Sequence, residues 1–369
     1  MKKTLLILGP LLALALGLAL RAAGHAPEIA WTAGITLLTA LWWIFEPIPI
    51  PATSLVPLAA FPTVGVLDYT QLGAAYGDKL ILLMLGGFIL STAMERSGAH
   101  RRIALVMVRT LGGGSPRRLV LGFMAASACL SMWISNASTT LMLLPIVLAV
   151  VKDVRDDRLR TALLLGVAYA ASVGGIATPI GTPPNLVFLD QYGSLVGEEP
   201  TFLQWMSWSI PIALVMLPIA WLWLTRGLGR STGIELPDVG RWRTEEVRTL
   251  AVFAVTALLW ITRKEPFGGW TTLTGLHDAH DSSVALLAVV AMFLIPNGKG
   301  ERLLDWETAS RIPWGILLLY AAGIAIARAF TSSGLSDAIG DSLGGVTALP
   351  IVLWICSVSR KCSTVPSPA

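Results

Sequence analysis

The chain has 369 residues, 54% hydrophobic and only 14% charged, with a mean hydropathy of +0.69. Soluble domains carry about 25% charged residues, so an ordinary water-facing enzyme is excluded and lipid is the natural solvent. The net charge of +4 does not point to nucleic acid. Basic residues sit beside apolar runs, where they set membrane orientation, and no basic stripe interleaved with aromatics accompanies them. Cys129, Cys356 and Cys362 show neither metal-ligand spacing nor a disulfide framework. The apolar blocks hold no paired acids, nucleophile–base set or His/Glu metal spacing, so no enzyme is expected.

A membrane helix takes about 20 mostly apolar residues. In chain order the candidate blocks are 4–21, 29–45, 50–67, 79–95, 159–190 (long and broken), 202–225, 247–262, 282–296 and 313–330. The first lies behind Lys2 and Lys3 and reads as a retained helix, because further membrane blocks follow at once. Residues 119–151 break the pattern, being too many for one span and too few for two. Their middle is polar, with Ser131, Ser135, Asn136, Ser138, Thr139 and Thr140. Both ends are basic, Arg117 and Arg118 before, Lys152, Arg155, Arg158 and Arg160 after. Basic ends mark the cytoplasmic side, so the segment enters and returns. Such a re-entrant hairpin carries its tip inside the membrane, where irregular backbone survives only buried in protein or lining a cavity. With a cytoplasmic N-terminus, the loops rich in Lys and Arg fall inside and acidic 191–201 falls outside, giving nine crossings plus one hairpin; only 263–281, with Arg263 and Lys264 among acids, is ambiguous by this rule.

Residues 66–98 and 303–334 resemble each other. The first runs from Val66-Leu67-Asp68-Tyr69 through an apolar block to Ser97-Gly98; the second runs from Leu303-Leu304-Asp305-Trp306 to Ser333-Gly334. Pro62 and Pro296 precede them, and Leu-Gly-Gly follows each, at 111–113 and 343–345. The two apolar helices run in opposite directions by the topology above, an inverted repeat of the kind that marks secondary transporters. The predicted fold class is therefore an all-α polytopic membrane protein, an inverted-repeat secondary transporter with a re-entrant hairpin and a broken helix. Its parts are a first transmembrane helix over 1–28, a first repeat over 29–245 and a partial second repeat over 246–345. Within the first repeat lie scaffold helices 29–95, an amphipathic connector 97–112, the hairpin 116–151, the broken helix 159–190 and a helix 202–225. Residues 346–369, containing Ser357-Val358-Ser359-Arg360-Lys361-Cys362, are too polar for a second hairpin arm and read as an aberrant or truncated tail, with transport by this chain then not expected.

Two stretches can carry chemistry: the tip Ser131-Met132-Trp133-Ile134-Ser135-Asn136-Ala137-Ser138-Thr139-Thr140, and Gly174-Gly175-Ile176-Ala177-Thr178-Pro179-Ile180-Gly181-Thr182-Pro183-Pro184-Asn185. Pro179, Pro183 and Pro184 interrupt a helix, and the glycines permit the conformations that follow. Unwinding frees carbonyls for a hard cation, and the restarting half-helix points its positive end at an anion. Ser, Thr and Asn oxygens complete such a site without burying a formal charge.

These stretches, with the turn Glu46-Pro47-Ile48-Pro49-Ile50-Pro51, resemble the divalent anion/sodium symporter family over residues 28 to about 345. The resemblance implies a sodium-coupled carrier of dicarboxylates, citrate or sulfate. It implies a homodimer working as an elevator, with two hairpins and two broken helices per protomer; a composition rich in Ala, Leu and Trp suits the cell inner membrane. Carried over, Ser131, Ser135, Asn136 and the Gly181 backbone hold a sodium ion, and Ser135, Asn136, Thr182 and Pro183 face the substrate anion. Ser138, Thr139 and Asn185 complete the candidate substrate set. One departure concerns the tip, where Ala137 stands in place of the family's threonine. The expected partners are a small anion, sodium as coupling ion and the bilayer, with no other cofactor or metal and no nucleic acid. Sodium is favoured over protons because no titratable group lies in the tip. A related carrier of the arsenite or Na+/H+ type, or a non-transporting membrane fragment, are the alternative readings.

Overall fold

The computed structural model describes residues 2–152, 156–229, 240–265 and 268–344. The expected tail and the Leu-Gly-Gly ending at 345 fall outside or at the edge of these residues. The described chain is helical throughout, with one isolated bridge between Pro296 and Arg302. The helices are α1 (Lys2–Ala22), α2 (Pro27–Phe45), α3 (Ile50–Thr53), α4 (Leu55–Thr63), α5 (Tyr69–Tyr76), α6 (Lys79–Ser97), α7 (Ala99–Leu111), α8 (Pro116–Ser131) and α9 (Asn136–Val151). There follow α10 (Asp157–Gly175), α11 (Pro183–Val196), α12 (Phe202–Leu224), α13 (Thr244–Ile261), α14 (Gly269–Thr274), α15 (Asp281–Leu294), α16 (Trp306–Ala309), α17 (Trp314–Ser333) and α18 (Leu335–Gly344). The described residues group into two compact units, those up to Ile81 together with those from Pro313 onward, and those from Leu82 to Ile312.

Among the described residues, five segments are long and apolar enough to cross a bilayer: α1, α2, residues 69–97, α12 and α17. Length and composition alone therefore support fewer crossings than the nine expected. The block 50–67 shows why. It forms helices of 4 and 9 residues, divided where Pro57 has no N–H to give Thr53 O, and a 9-residue helix rises only about 14 Å. The joint between them is pinned at Ser54. Its hydroxyl donates to Ile50 O at 2.9 Å and accepts from Trp43 Nε1 at 3.1 Å, while Tyr76 OH donates to Ser54 O at 2.8 Å.

In the first unit, buried Gly9, Ala13 and Gly17 recur every fourth residue of α1. This small-residue stripe lets α2 approach closely, the usual packing solution where lipid removes the hydrophobic drive between helices. A Cβ on Gly34 of α2 would come within 2.9 Å of Ala13 O. The opposite face of α1, with Ile7, Leu11, Leu14 and Leu18, is exposed and suited to acyl chains. Phe61, Leu67 and Leu72 pack with Ala325 and Ala329 of α17 into the core of this unit.

The two sequence copies repeat their local geometry. Asp68 caps α5 by accepting from Gln71 N at 2.7 Å, and Asp305 caps α16 by accepting from Thr308 N at 2.8 Å. The Thr308 backbone N–H and hydroxyl, joined by the Arg96 and Arg311 guanidinium groups, hold the Asp305 carboxyl below the usual carboxylate range. Gly98 and Gly334 both take left-handed φ values, 75° and 76°, a conformation open to glycine at little cost. The serine before each glycine accepts from the N–H two residues on, at 3.3 Å in both copies.

In the second unit, α7 is joined to the start of α13 by a buried ion pair. Arg102 Nε donates to Glu246 Oε2 at 2.6 Å, with the two side chains 8% and 2% exposed. Arg102 also reaches Gly240 O at 3.0 Å and Arg241 O at 2.6 Å, and Arg243 donates to both Glu246 oxygens. Such a pair contributes little net energy against an apolar substitute, yet removal of one partner leaves a buried charge alone and costs about 3–5 kcal/mol. Glu246→Ala is therefore expected to lower the melting temperature in detergent sharply, whereas Lys2→Ala, at an exposed ion pair of 3.9 Å, leaves it unchanged. Equal melting temperatures for the two variants would refute this account of the α7–α13 joint.

Candidate functional site

The hairpin is built from two 16-residue arms, α8 and α9. Each rises about 24 Å, short of the roughly 30 Å hydrocarbon core. Ser115 caps α8 at its base, where its hydroxyl accepts from Arg118 N at 3.3 Å. At the tip, Ser135 caps α9 by accepting from Ser138 N at 3.2 Å. The turn between them, Met132 to Ser135, is anchored by Trp133. Its ring packs edge-on to Phe253 of α13, with centroids 5.5 Å apart, and stacks on Phe202 of α12, which stacks in turn on Trp260 at 5.2 Å.

Opposite the tip, α10 stops at Gly175 and α11 restarts at Pro183, the first-turn position where a missing N–H costs nothing. Every carbonyl freed between them needs a partner, and several side chains supply one. The Asn185 amide donates to Gly175 O and Thr178 O, both at 2.8 Å. Trp205 Nε1 donates to Ile176 O at 2.9 Å, and Ser209 donates to Ala177 O at 3.0 Å. Thr178 Oγ1 donates to Met132 O, tying the break to the hairpin turn.

Glycines make this contact possible. A Cβ on Gly174 would lie 2.2 Å from Ala128 O and 2.5 Å from Ala128 Cα. One on Gly175 would lie 2.4 Å from Asn136 Oδ1, and one on Gly181 would lie 2.4 Å from Gly175 O and 2.9 Å from Ser131 O. Ser131, fully buried, donates to Asn136 Oδ1 at 2.5 Å. The result is a small cradle of uncharged oxygens, Ser131 O and Oγ, Asn136 Oδ1 and Gly175 O, gathered around Gly175 and Gly181.

Of the predicted residues, Ser131, Asn136 and Gly181 thus come together in this cradle. Ser135 and Pro183 instead line a cavity beside it, with Met84, Gly87, Phe88 and Ser91 of α6 and with Trp133, Ile180 and Leu186. Asn185 is buried, both amide hydrogens committed to the break. Thr182 and Ser138 are half-buried at the starts of α11 and α9. Thr139 is 1% exposed and its hydroxyl has no partner among the described residues. No lining residue of the cavity is ionisable. Sequence reasoning missed the α6 wall, Trp133 as an anchor, and Trp205 and Ser209. A Gly86-Gly87 pair followed by a serine inside an apolar helix, and a Trp/Ser pair four residues apart on α12, were the available signals.

Apolar helices, a short hairpin and a side-chain-capped break in a helix define a multi-pass membrane carrier. Comparison with known proteins gives the family. The citrate transporter model CitMHS matches residues 40–366. The sodium-dependent dicarboxylate transporter SdcS of Staphylococcus saprophyticus is 37% identical over 378 residues, covering 95% of this chain and 72% of that protein. Its namesake in Staphylococcus aureus strain NCTC 8325 is 36% identical over 380 residues, covering 94% and 72%. The chain belongs to this citrate-transporter family, within the divalent anion/sodium symporter group that its motifs resemble.

Gly174 and Gly323 separate packing from helix propensity. Gly174→Ala places a Cβ on the Ala128 backbone and is expected to lower the melting temperature. Gly323→Ala, with nothing within 4 Å of the new Cβ, is expected to raise stability by about 0.5–1 kcal/mol. Stabilisation by both changes is the result that contradicts the close approach of α8 and α10.

Proposed function

We propose that the protein is a sodium-coupled symporter of dicarboxylates or citrate. It sits in the cell inner membrane with its N-terminus cytoplasmic and works as a homodimer by an elevator movement that carries the hairpin and broken helix together. The observation that carries this reading is the oxygen cradle at Ser131, Asn136, Gly175 and Gly181. Uncharged oxygens held at fixed spacing replace the water of a small cation without burying a second charge. Sodium is the coupling ion on this reading, because neither the cradle nor the cavity offers a titratable group to carry a proton, and the relatives are named as sodium-dependent dicarboxylate transporters.

The bound cation then supplies positive charge beside Ser135 and Asn136, where an anion otherwise meets only dipoles. Ser135, Asn136, Ser138, Thr139, Thr182 and Pro183 are the candidate substrate residues, with the positive end of α11 behind them. Asn185 contributes by holding the break that aims this end. Apolar lining from Met84, Phe88, Ile180 and Leu186 suits the carbon spine of a carboxylate better than sulfate, which has none.

Sodium and succinate binding by the purified chain test the reading together. Sodium chloride is expected to raise the melting temperature relative to choline chloride, since a ligand that binds only the folded state stabilises it. Succinate or citrate is expected to bind in sodium and not in choline. Asn136→Ala is expected to abolish both effects. A wild-type chain that responds identically to sodium and choline, and binds neither acid, would falsify the proposal.

A further inference from the structure

We propose that Ser91 of α6 is a substrate-contacting residue, and that its hydroxyl donates to a carboxylate of the bound dicarboxylate from the wall facing Ser135. This rests on the symporter reading above and extends it to a helix outside the hairpin and the broken helix. Serine and threonine hydroxyls in apolar helices usually turn back onto a carbonyl of their own helix. Two neighbours on α6 do so, with Thr92 donating to Ile89 O at 2.8 Å and Ser97 donating to Met94 O at 3.0 Å. Ser91 does not. It is 6% exposed, makes no hydrogen bond to any described residue and lines the cavity shared with Ser135 and Pro183. A hydroxyl that faces a cavity and is not spent on its own helix is free to donate to whatever enters that cavity.

The chemistry of the cavity names the ligand class. Ser135 spends one lone pair on Ser138 N, leaving its O–H free to donate, so Ser91 and Ser135 offer two hydroxyl donors to one space. Apolar side chains fill the rest of the lining. Donors from two walls of a space otherwise lined with hydrocarbon suit a molecule with carboxylates joined by a short carbon chain. Gly87, one turn before Ser91, keeps the space open. A Cβ there would stand 3.8 Å from Ile180 Cβ, an ordinary contact, so a branched side chain would extend into the cavity instead of clashing with the backbone.

The test is equilibrium binding of labelled succinate to the purified chain in sodium, with the sodium-dependent rise in melting temperature read alongside. Ser91→Ala is expected to weaken succinate about tenfold, the loss of one hydrogen bond to a charged group. The melting temperature and its response to sodium stay at wild-type levels, because Ser91 supports no other group. Ser91→Thr, which keeps the hydroxyl, is expected to bind within about threefold of wild type by the same reasoning. Gly87→Val is expected to remove succinate binding with the sodium response intact. Wild-type binding of succinate together with unchanged affinity in Ser91→Ala overturns the assignment of Ser91 and leaves the symporter reading standing. Failure of the wild type to bind succinate in sodium sinks the symporter reading itself.

Discussion

The structure depends on one constraint: a polypeptide placed in hydrocarbon must satisfy every backbone polar group from within. Between Gly175 and Pro183 the helix ladder stops, and the freed carbonyls are met one at a time by Asn185, Trp205 and Ser209. The break is thus held partly by its own residues, through Asn185 and the Gly181 N–H on Thr178 O, and partly by α12. Ser131 O, Asn136 Oδ1 and Gly175 O lie against positions that only glycine can occupy, so the same small residues that permit the helices to approach also bring these oxygens together.

Close approach is the second theme, and it has the same origin. Lipid tails are as apolar as leucine, so helices gain nothing by hiding leucine from them and associate through contact of small residues. Gly9, Ala13 and Gly17 do this for α1 and α2, and Gly174 with Ala128 does it for α10 and α8. Bulky residues are used differently, as anchors. Trp133 fixes the hairpin turn through Phe202 and Phe253, and aromatic pairs of this geometry add about 0.5–1.5 kcal/mol beyond area burial.

The internal repeat is visible at two levels. As sequence it is a shared order of Leu-Asp-aromatic, apolar block and Ser-Gly. As structure it is a pair of aspartate caps and a pair of left-handed glycines, each preceded by a serine that accepts from the N–H beyond the glycine. Local hydrogen-bond geometry of this kind is set by a few residues, so it persists where the intervening side chains have diverged.

The sequence alone determined the solvent, the helical class and the two places where regular helix fails. Those features follow from composition and from residues whose backbone limits are intrinsic: Pro183 at a helix start, Ser135 as a cap, and glycines at 174, 175 and 181. The roles of Ser131, Asn136 and Gly181 come only from what the family resemblance implies, carried on the tip and the proline-rich stretch. Tertiary structure alone decided that Gly175 O completes their cradle and that Asn185 braces the break. It alone brought α6, which reads as plain scaffold, to form the wall of the cavity with Gly87 and Ser91. It also divided the block 50–67 into two short helices pinned at Ser54 by Trp43 and Tyr76. The reason is physical: propensity and periodicity act between residues near in sequence, whereas the partner of a freed carbonyl or an unmatched hydroxyl is set by which helices meet in space.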